Sequence, residues 1–133
     1  MKRICADTNI LVRSIVRDDK AQAAVAERIL SSAEIIALPL TCLCELVWVL
    51  ARVYDMPRED VADTLRSLLT VRAIAVNRPA AEAGLAVFER GGDFADGVIA
   101  YEGYSLGGKT FVSFDKRAVK ALKAAGLKAQ LAG

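Results

Sequence analysis

Four acidic residues stand where a carboxylate has few structural reasons to be. Asp7 and Asp115 each end an apolar segment typical of a strand, Glu45 interrupts an apolar helical stretch, and Asp96 precedes another apolar run. A cluster of carboxylates repels itself and is costly to desolvate. A hard divalent cation, which takes oxygen ligands, is the usual way to offset that cost. The pattern therefore indicates metal-assisted chemistry, with phosphate esters as the leading substrate class.

The composition narrows this chemistry further. The 133-residue chain contains no histidine, and its cysteines (Cys5, Cys42 and Cys44) form no Cys-x-x-Cys pair. This disfavours a zinc site of cysteine and histidine, and it excludes nucleophiles that depend on a histidine base. We expect the cysteines to be buried, reduced thiols.

Length and hydropathy indicate one domain that spans residues 1–133. The hydrophobic content of 54% is sufficient for a substantial core. No apolar run reaches the roughly 20 residues that cross a bilayer. No apolar signal segment precedes Asp7, so we expect a cytoplasmic protein without a membrane partner.

Positive charge is concentrated near the C-terminus. The net charge is +2, but residues 109–133 carry six basic side chains and one acidic side chain. Lys116, Lys120 and Lys123 are spaced to share one helical face, with Arg117 beside them. This face is either a solvated surface or a rim that binds a phosphate backbone.

Apolar segments alternate with helical periodicity along the chain. Strands are predicted over residues 2–6, 34–38, 71–76, 110–114 and 127–131. Helices are predicted over residues 8–17, 19–32, 41–54, 57–69, 79–90, 93–106 and 115–125, with Thr41 as one of the caps. The strands are short and uniformly apolar, which indicates an α/β fold with a parallel sheet covered on both faces.

Two of the acidic residues occupy equivalent places in this scheme. Asp7 and Asp115 follow strands directly, and ligands gather at the carboxyl ends of strands in an open parallel sheet. Each could instead be a helix N-cap. Glu45 could form a salt bridge with Arg52, although an apolar helix is an unfavourable place for an unpaired carboxylate.

The third acidic segment contains two aspartates. Asp93 and Asp96 could be the cap and the first-turn residue of one helix, where the helix dipole stabilises negative charge. Because one cap is sufficient, Asp96 is the stronger candidate for a ligand. Asp93 is closer to a helix cap than to a ligand.

Taken together, these segments resemble the PIN domain family, in particular the single-domain ribonuclease toxins of VapBC toxin–antitoxin pairs. The matching segments are Asp7-Thr8-Asn9, Glu45 in its apolar helix, Asp93-Phe94-Ala95-Asp96 and Ser113-Phe114-Asp115. The resemblance covers essentially the whole chain. Where many relatives carry a further acidic residue after the last aspartate, this chain has Lys116, Arg117 and Ala118.

The resemblance implies a three-layer α/β/α sandwich with a central, mostly parallel sheet of four to five strands. It also implies an endoribonuclease that depends on Mg²⁺ or Mn²⁺ and cleaves RNA phosphodiesters. Such proteins are usually homodimers, held inactive by a cognate antitoxin whose C-terminal tail lies over the acidic pocket.

The same resemblance assigns roles to individual residues. The catalytic and metal-binding residues would be Asp7, Glu45, Asp96 and Asp115. The residues that would orient them through hydrogen bonds are Thr8, Asn9 and Ser113. The candidates for binding RNA phosphates are Arg13, Arg17, Lys116 and Arg117.

Two other functions are compatible with the sequence. A phosphatase of the haloacid dehalogenase type also begins with an aspartate at a strand end, but it needs an acid two residues later, and this chain has Asn9 there. The second is a protein-binding module that keeps the fold but has a weak or silent site.

Overall fold

A computed structural model describes residues 2–133. The strands are β1 (Lys2–Cys5), β2 (Ala33–Ala37), β3 (Ile74–Ala75), β4 (Phe111–Ser113) and β5 (Ala129–Leu131). The α-helices are α1 (Thr8–Val16), α2 (Lys20–Ser32), α3 (Leu40–Trp48), α4 (Arg58–Leu69), α5 (Arg78–Glu89), α6 (Phe94–Ser105) and α7 (Lys116–Ala124). A π-helical turn, Val49–Val53, continues α3. The order of elements is the order predicted from the sequence.

All strand pairs are parallel, which confirms the predicted α/β fold class. The strands are divided between two sheets, however, with β1, β2 and β3 in one and β4 and β5 in the other. Within residues 2–133 the expected central sheet is therefore not one continuous hydrogen-bonded ladder. The strands near the division are short, and β3 has only two residues.

The strand predicted over residues 71–76 is reduced to Ile74–Ala75, because the residues after α4 form hydrogen-bonded turns. The N–H groups of Thr70 and Val71 donate to the carbonyls of Ser67 and Leu68, and Ile74 N–H donates to the Val71 carbonyl. These local hydrogen bonds occupy backbone groups that a longer strand would need. Pairing with β2 therefore begins only at Ile74.

Side-chain caps explain several helix starts. Asp19 accepts a hydrogen bond from Gln22 N–H at 3.1 Å, and Asn77 accepts one from Ala80 N–H at 3.3 Å. The prediction that Thr41 caps the third helix is wrong. That helix begins at Leu40, and the preceding Pro39 forms no side-chain cap.

The core consists of two clusters of buried side chains. The larger cluster includes the fully buried Leu11, Leu43, Leu46, Leu50 and Leu65. The smaller cluster contains Val87, Ala100, Ala121 and Leu122. Residues of α5 and α6 belong to both clusters, so these two helices form the wall that the clusters share.

The cysteines are all free, but their exposure differs. Cys42 is buried, Cys44 is partly buried, and Cys5 is exposed. The expectation of burial is wrong for Cys5 because it lies on β1, an edge strand whose outer side has no hydrogen-bonded neighbour in residues 2–133. Within the described chain, no helix combines the length and the apolar character needed to cross a membrane.

The contact between α5 and α6 depends on two glycines. A Cβ atom on Gly97 would lie 2.5 Å from the Ala83 carbonyl oxygen and 2.7 Å from Gly84 Cα. A Cβ atom on Gly84 would lie 2.8 Å from the ring of Phe94. The backbones therefore approach each other more closely than any other residue type would allow.

We predict that Gly97→Ala lowers the free energy of unfolding by about 1–3 kcal/mol, because backbone atoms must move to admit the methyl group. Denaturant titration measures this change. Gly103→Ala is the matched control, since Gly103 lies on the same helix and a Cβ there meets nothing within 4 Å. That control should be neutral or slightly stabilising, because alanine favours helix. Equal effects of both substitutions would contradict the close-contact explanation.

Candidate active site

Three aspartates meet at a cleft between the N-termini of α6 and α7. Asp93 immediately precedes α6, Asp96 lies in its first turn, and Asp115 immediately precedes α7. The cleft has a volume of about 240 Å³. Its lining consists of Arg52, Arg58, Gly91, Gly92, Asp93, Asp96, Asp115, Arg117 and Ala118. We refer to this cavity as the acidic cleft.

Asp96 is the carboxylate most strongly affected by this environment. Burial raises the pKa of the Asp96 carboxyl, and the negative charges of Asp93 and Asp115 raise it further. Both causes disfavour the ionised form of Asp96. A group with this combination, located in a cleft, is a candidate for a functional role.

Asp115 combines a structural role with a place in the cleft. Its Oδ1 atom accepts hydrogen bonds from Arg117 N–H at 2.9 Å and Ala118 N–H at 3.3 Å, which caps α7. Its own backbone N–H donates to Ser113 Oγ at 3.0 Å. The cap therefore uses only one of the two carboxylate oxygens of Asp115. The hydroxyl of Ser113 fixes the backbone of Asp115.

The side chain of Asp93 does not cap α6 as the sequence predicts. The residue occupies the N-cap position of α6, but its side chain forms no capping hydrogen bond. Only its backbone carbonyl contributes, by accepting a hydrogen bond from Asp96 N–H at 3.1 Å. Its carboxylate is not used by the helix and instead adds negative charge that acts on Asp96 and on Arg58.

A second acidic group forms where β1 meets α1 and α3. Asp7 Oδ1 accepts a hydrogen bond from Thr8 N–H at 2.9 Å, and Thr8 Oγ1 donates to Glu45 Oε2 at 3.0 Å. Thr8 is only 8% exposed. The Cys42 thiol is next to this group, because Thr8 Oγ1 donates to Cys42 Sγ at 3.6 Å. Burial raises the pKa of Cys42, the charges of Glu45 and Asp7 raise it further, and the hydrogen bond from Thr8 opposes the change.

The structure does not join the two acidic groups. Neither Asp7 nor Glu45 lines the acidic cleft, and Asn9 is exposed. Across residues 2–133, no three acidic or cysteine side chains are arranged closely enough to hold a metal ion. The donors are nevertheless carboxylate oxygens, which are the ligands that Mg²⁺ and Mn²⁺ prefer. The residue types thus fit such a cation, although in the described residues their side chains are not close enough together to surround one.

Of the four predicted phosphate-binding residues, only Arg117 lines the acidic cleft. Arg13 pairs with Asp18 at 2.9 Å, and Arg17 pairs with Glu27 at 3.1 Å. Lys116 is exposed outside the cleft lining. The salt bridge considered between Glu45 and Arg52 is not among the ion pairs of the described chain.

Two charged cleft residues have no counterpart in the predicted set, namely Arg52 and Arg58. Arg58 carries a signal that could have identified it, because it is the first residue of α4, where the helix dipole disfavours positive charge. Arg52 lies four residues after Trp48, on a helical segment whose core stripe faces elsewhere. A charged residue outside the core stripe of a helix indicates a surface position, and this is the signal that the sequence offers for Arg52.

The family comparison covers the part of the chain that contains these acidic segments. The profile of the PIN domain matches residues 4–124, most of the chain. The chain belongs to the PIN domain family. A search of curated proteins gave no match. The PIN domain is a nuclease-type fold, and both acidic groups lie within the matched residues.

The environment of Asp96 generates a prediction for this PIN domain. Because the pKa of Asp96 is raised in the folded state, ionised Asp96 opposes folding. Asp96→Asn should therefore be more stable than wild type at neutral pH. Below the ordinary aspartate pKa of about 3.9 the difference should vanish, and it should grow as pH rises through the raised pKa.

Thermal unfolding in EDTA at several pH values measures this effect. Asp60→Asn is the matched control, because Asp60 is the third residue of α4 as Asp96 is of α6, but it is exposed. The control should lose roughly 0.3–1 kcal/mol of helix-dipole stabilisation. A less stable Asp96→Asn at neutral pH would show that favourable contacts dominate at this carboxylate.

Proposed function

We propose that this PIN domain is a metal-dependent endoribonuclease that hydrolyses RNA phosphodiesters. The observation that carries the proposal is the crowding of Asp96, a partly buried carboxylate with a raised pKa between two further aspartates. Such an arrangement lowers stability, and a bound cation would offset the repulsion. Membership of a family with a nuclease-type fold supports the same reading.

The proposed ligand residues are Asp7, Glu45, Asp96 and Asp115, with Asp7 and Asp96 as the direct ligands. Mg²⁺ or Mn²⁺, when bound, supplies an activated water and neutralises charge on the phosphoryl group. Glu45 and Asp115 would hold the cation through water or orient the nucleophile. Asp93 adds negative charge on the Asp96 side of the cleft.

The other residues of the site act by fixing these carboxylates. Thr8 Oγ1 donates to Glu45, which holds that side chain toward Asp7. Ser113 Oγ accepts the backbone N–H of Asp115 and keeps the start of α7 in place. We assign Asn9 the role of a further hydrogen-bond donor at the Asp7 end. Water would attack the phosphorus in line with O3′, so that a new P–O bond forms as the P–O3′ bond breaks. The 3′ oxygen would take up a proton, which leaves a 3′-hydroxyl on one fragment and a 5′-phosphate on the other.

We further propose that the protein is the toxin of a type II toxin–antitoxin pair and acts in the cytoplasm as a homodimer. This part rests on the resemblance of the Asp7-Thr8-Asn9, Glu45, Asp93-to-Asp96 and Ser113-to-Asp115 segments to VapC-type toxins. A cognate antitoxin would then silence the nuclease by covering the acidic cleft. The open mouth of the cleft, with carboxylates and arginines in its walls, is compatible with such a lid.

Removal of a carboxylate should abolish cleavage. We predict that Asp7→Asn and Asp96→Asn lose the Mg²⁺-dependent cutting of a panel of structured RNAs, while Asp60→Asn cuts as wild type does. Gel analysis of end-labelled RNA, with and without EDTA, measures this. Folding is checked by circular dichroism. Full activity of a folded Asp7→Asn protein would refute the assignment.

Metal binding has a readout that is independent of activity. Mg²⁺ at one hundred times its Kd should stabilise the wild type by about 2.7 kcal/mol, and it should stabilise Asp96→Asn much less. Equal thermal shifts in both proteins would place the cation elsewhere. Accumulation of phosphate on Asp7 would instead indicate the phosphatase chemistry.

The toxin role has its own test. Expression of the wild-type chain in a bacterial host should arrest growth, because cleavage of an essential RNA stops translation. Expression of Asp7→Asn at the same level should not. Normal growth with an active, soluble wild-type enzyme would separate the nuclease activity from the toxin role and leave only the former.

A further inference from the structure

The acidic cleft also contains positive charge that has no partner among the ion pairs of residues 2–133. Arg52, Arg58 and Arg117 line the cleft, and none of them forms a salt bridge with a described residue. Arg13 and Arg17, by contrast, each pair with a carboxylate elsewhere on the surface. The guanidinium groups are thus gathered at the site, but its own aspartates do not bind them.

Arg58 is held in position by neutral groups. Its Nη2 atom donates to the Phe88 carbonyl at 2.7 Å and to the Gly92 carbonyl at 2.6 Å. Its guanidinium lies 4.0 Å from the centre of the Phe88 ring. A guanidinium has five N–H groups, so these contacts leave donors for another ligand. Because it is fixed in advance, less side-chain entropy would be lost on binding.

The positive charges affect one another. Burial lowers the pKa of Arg58, and the charge of Arg117 lowers it further, whereas Asp93 opposes the change. Two guanidinium groups that repel each other across a cleft are stabilised by an anion between them. The start of α7 cannot supply that recognition, since Asp115 already accepts the N–H groups of Arg117 and Ala118.

A second cavity extends from the same arginines. It has a volume of about 230 Å³ and shares Arg52, Arg58 and Asp93 with the acidic cleft. Trp48, the only tryptophan in the chain, lies in its wall and is 58% exposed. A tryptophan one helical turn from Arg52 offers a flat aromatic face beside a positive charge. The two cavities together thus form one groove with a charged arm and an aromatic arm.

We propose that Arg52, Arg58 and Arg117 hold backbone phosphates of single-stranded RNA while Trp48 stacks on an unpaired base of the same strand. The inference rests on the proposed nuclease function, and it names the residues of this chain that bind the backbone and the base of the strand. Arginine contacts to phosphate accept any RNA, but stacking on Trp48 requires a base whose face is free. The arginines also offset the repulsion between the phosphate backbone and the three aspartates of the cleft.

Trp48 provides a direct test because its fluorescence reports on this groove alone. A single-stranded RNA oligonucleotide should quench the emission of the wild-type protein in EDTA, where the strand is not cut. The same should hold for Asp7→Asn in Mg²⁺. A duplex of the same sequence should bind more weakly and leave the emission unchanged.

Substitutions separate the two parts of the proposal. In anisotropy titrations with labelled RNA, Arg52→Gln and Arg117→Gln should each raise the Kd on the order of tenfold. Each should also reduce the slope of log K against log salt by about 0.7. Trp48→Leu should raise the Kd roughly fivefold to a hundredfold, and Trp48→Phe should restore part of the loss.

Arg72→Gln is the matched control, because Arg72 is exposed and lines neither cavity. Arg58→Lys serves in place of Arg58→Gln, since removal of the positive charge could unfold the turn it holds. The proposal is overturned if Arg52→Gln and Arg117→Gln match the control, or if duplex and single strand bind alike. It is also overturned if RNA leaves the emission unchanged while the emission shifts with protein concentration, because Trp48 would then contact a second copy.

The outcome for the nuclease is read separately. If the wild type cuts no RNA but binds it in a way that depends on the arginines and Trp48, the assignment of the groove as an RNA-binding site is supported and the catalytic proposal fails. If the wild type cuts RNA and the arginine variants keep the wild-type KM, the catalytic proposal stands and the groove assignment fails.

Discussion

The close approach of α5 and α6 at Gly84 and Gly97 is the constraint on which the rest of the structure depends. These helices supply residues to both hydrophobic clusters, so their separation sets the distance between the two halves of the core. The first turn of α6 also carries Asp96. The position of Asp96 in the acidic cleft therefore depends on apolar packing and on the absence of two side chains. Because protein interiors are close-packed, a change in the separation of these two helices would displace the residues that pack against them.

The cleft combines charges that do not neutralise one another in pairs. Three aspartates and three arginines line it. Burial and the charges of Asp93 and Asp115 raise the pKa of Asp96, whereas burial and the charge of Arg117 lower the pKa of Arg58. A protein selected only for stability would pair these groups directly. Their separation is typical of functional sites, where strained electrostatics persist because a ligand relieves them.

The sequence predicts well those features that neighbouring residues decide. The alternation of strands and helices, the α/β class and the cap at Asp115 depend on local patterns, and the structure has them. Features that depend on distant contacts were missed. Arg58 enters the cleft because Phe88 and Gly92, some thirty residues away, hold its guanidinium. The division of the strands into two sheets depends likewise on tertiary packing, which hydrophobic periodicity does not encode.

The π-helical turn Val49–Val53 gives the groove an unusual sensitivity to chain length. Here Tyr54 N–H donates to the Val49 carbonyl, five residues back, so the turn accommodates one residue more than an α-helix would. Deletion of a single residue within the turn would restore α-helical bonding and change the angle at which the remaining residues of the turn leave the helix. The side chain of Arg52 would then be oriented differently toward the cleft without being mutated. Two related proteins can thus differ in the charge of this groove because one of them lacks a residue in the turn, and not only because an arginine has been substituted.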